Sequence, residues 1–333
     1  GIFILFFLAV IILPANAAEP LKLEPIYITK SKSVYGNTYS LKYGQIENLP
    51  YNNPIEAIQN LPVDLQSRSL GGGIQTDFSM RGSNFQEVLV LFNGQRINDP
   101  QTGHYNSDIP LTNEDIEKIQ AMPGVSSALF GPDSIGEALN FITKKPKDNK
   151  AVMQFIAGQD NIKSGLFSVT RKADNVGVRL SLSRQSSSGF SEDTDYKNFT
   201  AFLASLVDMP MGEFSLNAGY QDKDYGAYDF YTPGLDFPSR EHVKTYIVDT
   251  GLNLGQSGLI IKPNFLWRSH YDTFVLDKTQ RRSSYHNNHR TNVYLPSIYL
   301  QKELPALGKV GAGIEYASEQ IRSSNLGRHS RNH

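Results

Sequence analysis

The chain has 333 residues, enough for one large domain or two ordinary ones, and 32 Lys plus Arg against 33 Asp plus Glu leave a net charge of -1. That balance lacks the basic excess of a nucleic-acid binder, and the absence of cysteine excludes disulfides, thiolate metal sites and cysteine nucleophiles. Aromatic residues make up 11% of the chain while the mean hydropathy is -0.36, so rings are plentiful in a sequence that is not greasy overall.

In chain order, the first element is the apolar run Ile2 to Leu13, followed by Pro14 and Ala15-Asn16-Ala17. It falls short of the about 20 residues of a spanning helix and fits the core of a signal peptide cleaved after Ala17. No basic segment precedes it and the first residue is Gly, so a few N-terminal residues are expected to be missing. Residues 1–17 are read as the signal peptide, 18–40 as an N-terminal arm, 41–147 as a mixed α/β domain and 148–333 as a β domain.

In the α/β half, Asn53-Pro54 is a helix start, with Ile55, Ile58 and Leu61 at three-residue spacing before Pro62. Val88 to Phe92 reads as a strand buried on both faces, and Asn93-Gly94 as a two-residue hairpin turn returning through Gln95 to Ile97. Thr112 with Asp115 forms a capping box, and Ile116 to Ala121 and Ala138 to Thr143 read as two further strands.

After Pro146 the helix signals disappear. Val176, Val178, Leu180 and Leu182 alternate with Gly177, Arg179, Ser181 and Ser183, and the same period of two recurs at 214–221 and 310–317. Such runs predict nine strands, near 152–158, 166–171, 176–184, 199–207, 214–220, 243–254, 259–276, 291–302 and 309–323. Their connections alternate short and long, which a soluble sandwich has no reason to do and a transmembrane barrel does. Rings near the long connections (Phe190, Tyr196, Tyr225, Tyr228, Phe230, Tyr231, Tyr271, Phe274) suit an aromatic girdle. The polar stretch "NLGRHSRNH" finishes no element, and an odd count of about nine strands would leave unpaired edges in lipid, so the barrel is expected to be incomplete. The expected fold class is an α/β plug domain followed by an antiparallel transmembrane β-barrel.

Three stretches carry a resemblance. "MRGSNFQEVLVLFNGQRIND", Met80 to Asp99, and "IEKIQAMPGVSSALFGPDSIGEALNFITKKP", Ile116 to Pro146, resemble the two plug motifs of TonB-dependent outer-membrane receptors, nearest the cobalamin and siderophore branches. "LEPIYITKS", Leu23 to Ser31, resembles the TonB box. Two departures stand out: Pro123-Gly124-Val125 lacks the usual Arg, and Glu137 stands where a second Gly is usual. The resemblance implies active uptake of a siderophore, a corrinoid or another metal chelate through the outer membrane. The implied partners are TonB, outer-membrane lipid and the ligand. The TonB box spans Glu24, Pro25, Ile26, Tyr27, Ile28 and Thr29, whose β-prone centre can add as a strand to a partner's sheet edge. Ligand contacts are expected from the plug loop at Arg96, Asn98, Asp99, Gln101, Thr102, His104 and Tyr105, and from the loop at Gly71-Gly72-Gly73 to Asp77; the alternative is that these groups hydrogen-bond the barrel wall.

Two metal readings stay open. Glu192, Asp193 and Asp195 share one long loop, and Asp222, Asp224 and Asp229 share the next; such hard oxygen donors suit calcium, which the cobalamin receptor carries on its outer loops, although solvated acidic loops are the simpler account. His286 and His289 are expected as a pair on an outer loop, without a carboxylate or thiolate to complete a site. No resident cofactor is expected beyond that calcium. No catalytic triad, paired-carboxylate motif or phosphate loop points to an enzyme. A passive or structural barrel, or an adhesin, is the competing class.

Overall fold

The computed structural model describes residues 29–33, 36–51, 53–68, 73–123, 137–280, 285–304 and 308–333. The signal-peptide run, most of the TonB box and the stretch from Gly124 to Gly136 lie outside the described residues, as do Gly71 and Gly72.

The N-terminal unit is built on strands β1 (Thr29–Ser33), β2 (Gly36–Lys42), β3 (Asp64–Ser67), β4 (Thr76–Ser79), β5 (Val88–Phe92), β6 (Gln95–Arg96), β7 (Ile116–Pro123) and β8 (Glu137–Thr143), with short helices α1 (Tyr43–Ile46) and α2 (Pro54–Ala57). Six strands form one sheet in the order β1-β2-β7-β8-β5-β6, with β3 and β4 paired apart from it. Only β5 and β8 run parallel among the sheet's pairs. The expected local signals act where they were read. Asn53 caps α2 through its side chain, which accepts from the amides of Ile55 and Glu56. All five residues of β5 are buried. Asn93 and Gly94 have φ of 52° and 85°, the paired left-handed geometry of a type I′ turn. The Thr112–Asp115 capping box closes on a 3-10 turn rather than an α-helix.

The C-terminal unit is an 11-stranded sheet. Its strands are β9 (Lys150–Ala157), β10 (Lys163–Ala173), β11 (Val176–Ser187), β12 (Tyr196–Met209), β13 (Gly212–Gly226), β14 (Arg240–Gln256), β15 (Leu259–Val275), β16 (His286–Leu304), β17 (Gly308–Glu315), β18 (Ser318–Ser323) and β19 (Gly327–Asn332). Successive strands pair antiparallel, and β17 and β18 both pair with β16, so the ninth expected strand is a single run interrupted at Tyr316–Ala317. The polar stretch ending at His333, not among the nine expected strands, forms β19, paired to β18 over six residues. Its Ser, Arg and His residues need no buried face at an edge position, which is why the alternation rule passes over it. The connections at 188–195, 227–239 and 276–285 share one end of the wall, and the tight turns at 174–175, 210–211 and 257–258 share the other.

Burial runs opposite to that of a soluble protein. The outward positions of β10 to β12 carry exposed Phe167, Val176, Val178, Leu180, Phe199 and Leu203, whereas the inward positions bury Arg179, Ser181, Gln185, Asn198 and Thr200. An apolar exterior and polar interior alternating along every strand is the pattern of a lipid-facing barrel wall. Phe202, Ala204, Ile247, Leu266, Leu295 and Ala317 break that polarity on the inner face, and they join one continuous core with plug residues such as Val90, Phe92, Ile109 and Phe141. The plug is therefore packed into the wall by apolar burial as well as by polar contacts.

The girdle expectation needs correction. Tyr196, Tyr225, Phe230 and Phe274 are buried on the inner side, clustered with Ile74 and Tyr105 of the plug. Of the expected rings Tyr271 does face outward, joined there by Phe199, Tyr220, Tyr246 and Trp267, with centroids 5.0 to 6.4 Å apart. Proximity to a long connection does not fix the face a ring takes, whereas strand phase does.

Candidate functional site: the plug apex and its seat in the barrel

The hairpin of β5 and β6 feeds the loop that runs from Ile97 to β7. Asn98 is consumed locally: its side-chain oxygen accepts from the Val90 amide at 2.8 Å and its amide donates to the Val88 carbonyl at 3.0 Å, continuing the strand pairing that β6 abandons. Thr102 caps the 3-10 turn at 103–105 by accepting from the His104 amide.

Three of the loop's buried carboxylates each meet a buried barrel cation. Asp99 accepts from Arg268 on β15 at 2.5 Å and from Thr291 on β16 at 2.9 Å. Asp108 pairs with Lys223 on β13 at 2.7 Å, and the same ammonium donates to the Gly73 carbonyl at 2.6 Å. Asp115 accepts from Arg179 on β11 at 3.0 Å and from Ser181 at 2.7 Å while closing the capping box of Thr112. All three cations are at most 2% exposed. Burial alone would raise the Asp99 carboxyl, but Arg268 and His270 beside it hold it below the usual range. Burying such pairs is costly to begin with, so their value lies in register: removing one partner strands the other, at about 3–5 kcal/mol.

Tyr105 completes the seat. Its hydroxyl donates to Glu241 on β14 at 2.6 Å, and its ring lies 4.5 Å from that of His270. Burial, and then the Glu241 charge, push the Tyr105 phenol well above its ordinary value, so it stays a donor. Tyr231, on the connection 227–239, donates to the same carboxylate and accepts from Gln75 of the plug at 2.7 Å. One buried carboxylate thus joins plug, wall and outer loop.

The seven expected ligand residues therefore divide. Arg96 donates to Glu315 at 3.2 Å and lies 2.7 Å from the His333 ring nitrogen, and with Asp99 and Tyr105 it is held by the barrel wall. Asn98 and Thr102 serve the loop's own backbone. His104 lies with Nδ1 2.8 Å from Asp77 and its ring stacked on Phe85 at 4.4 Å, half-buried. Gln101, half-buried, has its side-chain oxygen unpartnered. Of the TonB box, Thr29 opens β1 and Glu24 to Ile28 lie outside the described residues.

Most carboxylates of the acidic stretches have partners of their own: Arg240 bridges Asp195 at 2.9 Å and Asp224, Lys278 pairs with Asp193, and His242 lies 2.8 Å from Asp222. Asp229 keeps one buried oxygen unpartnered, Glu192 forms no ion pair, and no group of three or more His, Asp or Glu able to hold a metal occurs among the described residues. His286 and His289 fall inside β16 rather than on a loop; three residues apart on a strand, they point to opposite faces and cannot share a metal.

Sequence reading missed Asp108, Asp115, Arg179, Lys223, Arg268 and Glu241. A usable signal was present: a full charge at the inward phase of an alternating strand, as at Arg179 between Val178 and Leu180. Glu137 finds its reason here too. It is buried and accepts from Arg81 Nε at 2.8 Å and from Ser83 Oγ at 3.0 Å, tying the start of β8 to the turn before β5.

Residues 30–137 match the TonB-dependent Receptor Plug Domain family. The chain is 29% identical over 192 residues to the vitamin B12 transporter BtuB of Vibrio vulnificus, covering 57% of this chain and 29% of that protein. It is 29% identical over 267 residues to the probable TonB-dependent siderophore receptor PirA of Acinetobacter baumannii, covering 71% of this chain and 34% of that protein. Among solved structures, the P. aeruginosa receptor FpvA with bound pyoverdine superposes with a TM-score of 0.74 at 15% identity, over 89% of this chain and 44% of that one. The ferric citrate transporter FecA superposes with a TM-score of 0.70 at 16% identity, over 92% of this chain and 52% of that one. The chain thus spans about a third of the curated relatives' length and about half of the solved receptors'. With a plug-family match over residues 30–137 and a wall of the same fold as the solved receptors' barrels, the chain is similar to the TonB-dependent receptors, its N-terminal unit being a plug domain of that family.

Proposed function

We propose that the whole protein takes up a scarce, bulky solute, a siderophore-iron complex, a corrinoid or another metal chelate, and that TonB supplies the work. One observation carries this reading: the lumen side of the wall is occupied by a folded domain fastened through buried Asp99–Arg268, Asp108–Lys223 and Asp115–Arg179 pairs. A passive pore gains nothing from such a stopper. A stopper this firmly seated needs an external pull to yield, and the segment ahead of β1 leads straight into the edge hairpin of the plug sheet. The names of the relatives, vitamin B12 transporters and siderophore receptors, favour the same solute classes.

His104 is the proposed plug contact to solute, since it is half-buried and held by Asp77 and Phe85 of the plug rather than by the wall. The wall-bound Arg96, Asp99 and Tyr105, with Gln101 bonded to Asp272 on β15, support it from behind. Toward the opposite end, a cavity of about 450 Å³ lies between the plug and the wall, lined among others by Asn93, Asn140, Asn217, Asp249 and Asn264. Open space on that side leaves room for a limited plug shift to open a route. In a strain lacking the gene, uptake of radiolabelled ferric siderophores and of cyanocobalamin should fall for one class and return on complementation. No defect for any chelate would reject the reading in favour of a structural barrel or adhesin.

A further inference from the structure

The inner face of the wall is layered along β12, β13 and β14. Descending from the long connections, β12 buries Thr200 and then Phe202, β13 buries Lys223, Gln221, Gly219 and Asn217, and β14 buries Thr245, Ile247 and Asp249. Phe202, Gly219 and Ile247 are successive register partners and form one row. A Cβ on Gly219 would come within 2.6 Å of Pro110 Cγ and 2.9 Å of the Pro110 carbonyl oxygen, so the wall forgoes a side chain here to admit the plug. Beside it the ring of Phe202 lies 6.4 Å from that of Phe92 on β5, and Ile247 belongs to the same buried apolar cluster. The next partners in the row, Ser181 on β11 and Arg268 on β15, are held by the plug carboxylates Asp115 and Asp99.

This row separates two spaces between plug and wall. Above it lies a hole of about 10 Å³, the size of one water, lined among others by Asn53, Thr200, Gln221 and Lys223. Asn53 and Gln221 each keep one buried side-chain atom, Nδ2 and Oε1, without a protein partner, and such atoms are ordinarily met by water. Below it, the cavity of about 450 Å³ begins at Asn217 and Asp249 and continues past Ser215 and Asn264. Phe202, Gly219 and Ile247 line neither space. On β13 and β14 the apolar step is a single row with polar side chains on both sides, and inward positions two residues apart are about 7 Å apart along a strand. A narrow apolar constriction resists water and ions, because neither finds hydrogen bonds there to replace those it gives up.

We propose that this row is a permeability seal: Phe202, Gly219 and Ile247, closed on Phe92 and Pro110, stop water and small ions from passing between the two spaces while the plug is seated. The buried ion pairs hold the plug in register, but an interface made only of polar groups would let water follow it. The seal also has a cheap release. Asn93, next to Phe92, donates to Asp249 just below the row at 2.9 Å, and Asp249 accepts as well from Asn217 and Asn264 of the wall. Breaking that one plug contact leaves the carboxylate with two donors, so the row opens and recloses without stranding a charge. The inference concerns water and ions and is independent of which solute the plug binds.

The test reconstitutes the full-length receptor into planar bilayers in potassium chloride and reads the steady current. Resistance of the plug to protease, measured on the same preparation, reports whether it is still seated. The native protein should pass no steady current. Phe202→Ser removes the ring and sets a hydroxyl in the row, and should pass a steady current with the plug as protease-resistant as in the native protein. Phe202→Leu keeps the row apolar and should stay closed. A conducting native protein, a closed Phe202→Ser variant, or equal current through Phe202→Leu would each overturn the proposal. Current that appears only together with protease sensitivity would overturn it too, because a loosened core and not a lost seal would then carry the ions. If Phe202→Ser fails to fold, the milder Ile247→Thr is read by the same criteria, and its closure with a seated plug would count against the seal.

Discussion

At the scale of single residues, the seating of the plug rests on charges that have no water to fall back on. Asp99 is the most exacting case, since Arg268, Thr291 and the Gln101 amide all converge on it. Asp99→Asn keeps the shape and removes the charge, leaving Arg268 buried without its partner, and should lower the stability of the seated plug by about 3–5 kcal/mol, read as a lower temperature of plug release to protease. Tyr105→Phe deletes one hydrogen bond and leaves Glu241 with Tyr231, so the expected loss is smaller, about 1–3 kcal/mol by the same measurement. The sign of the pH effect follows from the depressed Asp99 carboxyl. Its stabilisation is fully present above the ordinary value of 3.8 and is lost as pH falls below it, through the lower value of the folded state. Protease accessibility of the plug should therefore rise only in strong acid, and the Asn variant should show a flatter acid limb. Little of this was legible in sequence. Asp99 and Tyr105 read as polar loop residues open to a ligand, because their partners lie 169 and 136 positions away and no local pattern joins them.

At the scale of elements, local chemistry was far easier to read. Asn93-Gly94 announced its turn, and the structure gives both residues positive φ, so Gly94→Val should destabilise the hairpin although a Cβ there meets nothing within 4 Å. The cost is conformational, about 1–2 kcal/mol, and should appear as faster amide exchange in β5 and β6. Alternation likewise located the barrel strands, because a wall wet on one side and greasy on the other imposes a period of two on any sequence that builds it. Where that physical requirement lapses, the reading failed. β19 sits at the end of the sheet and needs no apolar face; β3 and β4 are too short to show a period. His286 and His289 were placed on a loop because the strand was read only from 291, yet β16 begins at His286.

At the scale of the whole molecule, the separation into stopper and wall was visible in the change of pattern after Pro146, while the fastening between them was not. That fastening has a geometric order: the plug loop offers carboxylates at Asp99, Asp108 and Asp115, and the wall answers from β15, β13 and β11 in turn. Contacts spread over alternate strands hold the domain in one orientation, and they also mean that no single break frees it. Paired loss of Asp108 and Asp115 should loosen the plug more than either change alone, with little coupling between sites that share no partner. On the proposed reading, transport requires a force that acts on all of them together, applied through the segment ahead of β1. The most direct measurement is made in cells carrying the full-length receptor with and without residues Leu23 to Ser31, comparing chelate binding with energised uptake. The account predicts that binding is retained and uptake is abolished; uptake that continues undiminished without this segment would contradict it.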